Sequence, residues 1–226
     1  MSTPSLAIRP PRVLQMVETT GTEASPIALT LSGVKRGSTL VVTLGQPGSA
    51  NRTWSTSDDQ SNTWSDNQIA SSSARQAYMA YAENAAAGDT VVTIAANASA
   101  STIVRVYEIE ASSFVSWGTY IRNSDDTVHY CNDVGNDTPP HSGIIGVVQH
   151  NSSIGVPTAV EGQEIDLVVA NTTTFQYQFA KTPKQSVKGE YTSTSRNCLG
   201  MQAVFAATGE QREGIGGEEF GWCPSW

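Results

Sequence analysis

The sequence predicts an all-β fold: a two-sheet antiparallel β-sandwich, jelly-roll-like, with long loops and extended termini. Two observations carry that expectation. Short apolar stretches such as Leu40–Leu44, Val91–Ile94 and Leu167–Ala170 recur between connections rich in Gly, Ser, Thr and Asn. No long amphipathic helical stripe interrupts them, so the crossover helices of a parallel α/β sheet are not supplied. Isolated hairpins are marginal in water, and strands of this kind must close on one another to bury a core.

Residues 1–12 read as an arm, because Pro4, Pro10 and Pro11 oppose regular structure. Val13–Glu18 reads as the first strand. Ile27–Leu31 alternates large aliphatic and small residues, Gly33–Gly37 makes a basic turn, and Thr39–Leu44 has the β-branched content of sheet. Residues 45–65, with isolated Trp54 and Trp64, read as a long loop holding at most a short strand near Trp64. Arg75–Glu83 alternates with period two and is assigned as a strand, although its alanines also permit a helix. Asp89–Ile94 and Thr102–Ile109 follow as strands, and Phe114–Tyr120 as an edge strand.

A second polar excursion, 122–143, precedes a strand at Ile144–Gln149. Glu164–Ala170 and Thr174–Phe179 form a candidate hairpin. Residues 181–197 read as a loop with a short strand near Tyr191, and Met201–Ala207 is the last core strand. The expected organisation is an arm at 1–12, one sandwich domain at 13–208 and a Gly-rich tail at 209–226. About ten or eleven strands are expected in all.

Composition narrows the function classes. The 226 residues carry 13 basic and 21 acidic side chains, a formal charge of −8. No cluster of Lys and Arg offers a phosphate-neutralising surface, so nucleic acid and anionic membrane are not expected partners. No run approaches the length of a membrane span. The first residues lack a positive region followed by an apolar one, so no N-terminal export signal is expected. Incorporation into a virus particle and release by lysis would place such a protein outside a cell without one.

Several residue groups are candidate sites, each with an ordinary structural alternative. The Asx-rich stretch Asn51, Asp58, Asp59, Asn62, Asp66 and Asn67 offers the hard oxygens that calcium requires, with Asp66 and Asn67 the first candidates. Turn-forming side chains in a solvated loop account for the same residues. His129, Cys131 and His141 could ligate zinc, but Pro139 and Pro140 and the lack of a fourth strong ligand weigh against it. Cys131 and Cys198 are the disulfide pairing to test, against three free thiols.

Trp54, Trp64, Trp117 and Tyr120, with Tyr130, are candidate glycan-contact rings; burial as core side chains is the alternative. Pro10, Pro11, Trp222 and Trp226 are candidate assembly contacts. No nucleophile elbow, phosphate loop, dinucleotide fingerprint or zincin motif occurs, and no cofactor or reaction is expected.

The run from Ile27–Leu31 through Arg36-Gly37 to Leu40-Val41-Val42, with Trp64-Ser65-Asp66-Asn67, Tyr81 to Ile94 and either Val104 to Glu108 or Val106 to Glu110, resembles β-sandwich modules of phage structural proteins and bacterial surface proteins. The likeness covers residues 13–110 and thins through 144–208. The family's Tyr-Ser-Gly ending is replaced here by Ala111-Ser112-Ser113. The resemblance implies placement on a particle or cell surface, with adhesion or carbohydrate contact, and no reaction. The expected function is therefore a non-enzymatic structural or decoration protein of a phage virion, in contact with itself and with other virion proteins. A carbohydrate-binding adhesin is the first alternative and a secreted polysaccharide-active enzyme the second.

Overall fold

Described by the computed structural model are residues 10–19, 23–46, 51–70, 75–122, 126–130, 142–150, 158–159, 164–169, 173–179, 188–195 and 198–208. They hold β1 (Val13–Glu18), β2 (Glu23–Ala24), β3 (Ile27–Val34), β4 (Thr39–Gln46), β5 (Trp54–Asp58), β6 (Ser65–Ala70), β7 (Gln76–Ala82), β8 (Gly88–Ala96) and β9 (Ser101–Ile109). After β9 come β10 (Ser112–Arg122), β11 (Asp126–Tyr130), β12 (Ser142–His150), β13 (Thr158–Ala159), β14 (Glu164–Val169), β15 (Thr173–Phe179), β16 (Lys188–Ser195) and β17 (Cys198–Ala207).

Among the described residues every strand pair is antiparallel. The largest sheet runs β1-β9-β4-β7-β6, with β2 continuing the β1 edge along β9. A three-stranded sheet, β3-β8-β5, covers one of its faces. A five-stranded sheet, β10-β17-β12-β15-β14, covers the other, and a further three-stranded sheet runs β11-β16-β13.

Two apolar clusters lie either side of the β1–β9–β4–β7–β6 sheet, and side-chain alternation along each strand divides them. Leu40, Val42 and Leu44 of β4 join Leu31, Val92 and Ile94 in the first cluster. Val41 of β4 joins Met79, Tyr107, Ile145, Ala203 and Phe205 in the second. All eight residues of β4 are buried, as a strand sandwiched on both sides requires. The fold is thus all-β, antiparallel and sandwich-like, but the described strands make more than two sheets, because the central one buries both faces.

The two polar excursions also differ from expectation. Residues 45–65 contain β5, and β6 begins where that stretch ends; 122–143 contains β11. β5 keeps the period of two, with Trp54 buried and Ser55 and Ser57 exposed, but its inward positions after Trp54 are Thr56 and Asp58. Hydroxyl and carboxylate groups at the half-buried positions hide the alternation from a hydrophobicity reading. At 181–197, β16 is an eight-residue strand where only a short one is expected.

The strand assigned at 75–83 is β7, the β14–β15 hairpin forms, and β10 lies at the edge of its sheet. Residues 10–12 belong to the body: Pro11 is buried. The Arg12 guanidinium pairs with Glu110 at 3.1 Å, and the Arg12 and Glu110 main chains bond as well.

Candidate functional site

Asp58 closes the β5–β6 turn. Its Oδ1 accepts the Gln60 and Asn62 amides at 2.9 and 3.1 Å. Its Oδ2 accepts Asn62 Nδ2 at 3.0 Å and the Trp64 indole N–H at 2.7 Å. Asn62 Oδ1 in turn accepts the Ala86 amide at 3.0 Å, tying this turn to the β7–β8 connection. Asp59 accepts the Val91 amide at 2.9 Å and Asp89 the Gly33 amide at 2.8 Å. The carboxylates of this stretch therefore hold backbone donors, as Asx residues in turns do. Trp64 is half-buried and anchored by its indole nitrogen.

Asp66 and Asn67 do not converge. They are consecutive in β6, so their side chains leave opposite faces of the sheet. Asp66 Oδ2 accepts the Tyr78 hydroxyl at 3.2 Å, and that hydroxyl also bonds Thr56 Oγ1 at 2.8 Å. Tyr78 is buried, and its phenol is held well above the usual range, first by burial and then by the Asp66 carboxylate, against the opposing Thr56 hydrogen bond. Among the described residues, no group of three or more His, Cys, Asp or Glu is placed to hold a metal ion.

The candidate aromatic rings separate into different environments. Trp54 is 3% exposed and sits in the first core cluster, so it presents no face to a glycan. Its indole N–H is buried without a hydrogen-bond partner. Trp117 lies on β10 at the rim of the second cluster. It packs on Phe114 and Tyr81, with centroids 4.9 and 5.7 Å away, and Tyr81 stacks on Phe114 at 4.5 Å and 13°. Phe205 closes the group edge-on to Tyr81 at 5.9 Å. Trp117, Phe114 and Tyr81 are each half-buried, so ring surface reaches solvent beside the exposed Glu83, whose carboxylate accepts the Phe114 amide.

Other candidates fall outside the described residues: Cys131, His141, Trp222 and Trp226 entirely, and the side chains of Tyr120, His129, Tyr130 and Cys198. Pro10 is half-buried and Pro11 buried against the body.

Composition did not single out Arg105. Its guanidinium is 1% exposed on the second-cluster face of β9, where it pairs with Glu18 and lies 5.6 Å from the Tyr107 ring. Glu108, equally buried on the opposite face, accepts Gln15 Nε2 at 2.6 Å and the Lys35 amide at 2.8 Å, fastening β1 and the β3–β4 turn to β9. Charges inside an apolar strand such as Val104-Arg105-Val106-Tyr107-Glu108 are a readable signal of buried pairing. Compared with family models, curated proteins and solved structures, the chain finds no match.

Proposed function

We propose that this protein is a non-enzymatic structural or decoration component of a phage virion, built on a jelly-roll and acting through protein–protein assembly. The carrying observation is a winding order. With the two-residue β2 set aside, the eight strands of residues 13–109 can be numbered in chain order. The large sheet then reads 1-8-3-6-5 and the small one 2-7-4. The first strand lies beside the last and the second beside the seventh, which supports reading the winding as that of a jelly-roll, with the fifth strand joining the large sheet beside the sixth. That architecture serves in viral capsid and lectin domains. The link from architecture to role is one of analogy.

The polar groups at the candidate sites support the same reading. Asp58, Asp66 and Asn62 are engaged in holding turns and strands together. What the described residues offer a partner is surface and sheet edge. The test is proteomic and hydrodynamic. Particles of the phage encoding the protein should contain it in stoichiometric amount, and the purified protein should rebind particles lacking it. Its absence from purified particles would refute the assignment.

A glycan-binding role has one specific observation in its favour, the half-exposed Trp117–Phe114–Tyr81 group beside Glu83. Stacked rings with an adjacent carboxylate can meet a sugar's apolar face and one hydroxyl. Glycan-array binding that disappears in Trp117→Ala, with the protein still folded, would favour this reading over assembly.

A further inference from the structure

We infer that the chain is one β-unit used twice, and that the outer face of the unit's five-stranded sheet is a self-association surface whose partner, a second copy of the unit, is supplied within the same chain. This inference is independent of the virion assignment. The first observation is topological. Numbered in chain order, β10 to β17 form sheets reading 1-8-3-6-5 and 2-7-4, the order found in β1 to β9 once β2 is set aside. Only Glu110 and Ala111 join the two halves.

Register makes the correspondence residue-specific. Across the first sheet, one row runs Met16–Tyr107–Val41–Tyr81–Ser65. Across the second, Trp117–Ala203–Ile145–Tyr177–Glu164 occupies the same places in the same order. Each first strand also carries an irregularity at the same position. It lies between Val13 and Gln15, opposite Ile109 and Glu108, and between Phe114 and Ser116, opposite Phe205 and Val204. A one-residue slip would exchange the faces of a strand, so agreement across the whole row is a strong constraint.

The second observation is which faces meet. Corresponding residues lie in one shared cluster: Val41 with Ile145, Ile103 with Leu199, Tyr107 with Ala203, and Ile109 with Phe205. At its rim, Val13 and its counterpart Phe114 both pack against that cluster. Strand β12 packs over β4, its own counterpart, while β17 packs over β7. The sheets are therefore laid together in opposite lateral order, through the same face of each unit. Contact of one patch with its own equivalent is the geometry of a twofold, isologous dimer.

The surface can be tested in the full chain by inserting a protease site between Glu110 and Ala111 and cutting after folding. The two halves should remain a 1:1 complex by size-exclusion chromatography with light scattering. Truncating the seam in Tyr107→Ala should weaken the cut complex by about tenfold or more. Where that variant does not fold, Ile103→Val should weaken it by a few-fold. Cut wild-type halves that separate, or that bind equally well with the seam truncated, would overturn the inference. An experimental structure tests the repeat itself. Superposing the two five-residue rows must bring the first four strands of each sheet together, with β14 following β6 up to the register shift between Ile165 and Leu167 that β6 lacks, and a one-residue slip within the rows themselves refutes the equivalence.

Discussion

Tyr78 shows how one buried hydroxyl makes stability depend on pH. Its folded-state value is raised, so its contribution is fully present below the ordinary tyrosine value near ~10 and is lost as pH rises beyond it. In that range the unfolded chain ionises Tyr78 while the folded chain resists. Denaturant titrations should therefore show stability falling above about pH 10. Tyr78→Phe should flatten that fall, and an unchanged slope in the variant would assign the effect elsewhere.

Trp54 is a second residue-scale case, a core ring whose N–H has no partner. Trp54→Ala should cost about 3–5 kcal/mol through the cavity it leaves. Trp54→Phe should cost much less, because it removes the unsatisfied donor, itself worth roughly 1–3 kcal/mol, along with the lost volume. Chemical denaturation of both variants measures the difference.

Among the elements, β4 carries the most information about layering. Its run Thr-Leu-Val-Val-Thr-Leu lacks apolar–polar alternation, and both faces are buried. β3 alternates, with Ile27, Leu31 and Val34 buried and Ala28, Thr30 and Ser32 exposed. Aspartate at Val41 should therefore abolish folding, or cost upwards of about 4 kcal/mol, since it places a charge in the seam. Aspartate at Thr30 should stay within about 0.5 kcal/mol. Comparable losses at both sites in a thermal melt would contradict the assigned faces.

Strands with apolar inward positions, such as β4, β9, β12 and β17, were legible in the residues. β5 and β6 were not, because an edge strand needs little hydrophobic content. β5 blunts its open edge partly through Gln68, whose Oε1 accepts the Trp54 amide at 3.2 Å.

At the scale of the molecule, the shared seam couples the two halves, and heat should unfold them in one transition by calorimetry. Two resolved transitions in the intact chain would show that the second cluster does not bind them together. Within the seam, the buried Arg105 occupies the place that Met201 holds in the other half. Replacing both partners, Arg105→Met together with Glu18→Leu, should leave stability equal or higher, as replacing a buried ion pair by apolar side chains often does. Arg105→Ala should lower it. The melting temperatures of the two variants, compared with wild type, measure the sign.

The sequence by itself determined the class of structure. Alternating and unbroken apolar runs specify strands, and strands without helices must pair and stack to bury their faces. It also carries the charges within β9 as a signal that went unused, but not their partners, since Glu18 and Arg105 are 87 positions apart. Only the tertiary structure decided that the central sheet has two covered faces, and that Trp54 is core while Trp117 is rim. The repeated winding is likewise a tertiary fact. Strand order and register are set by pairings between distant residues, and side chains as different as Tyr107 and Ala203 occupy equivalent places. Composition does not preserve such an equivalence; backbone pairing does.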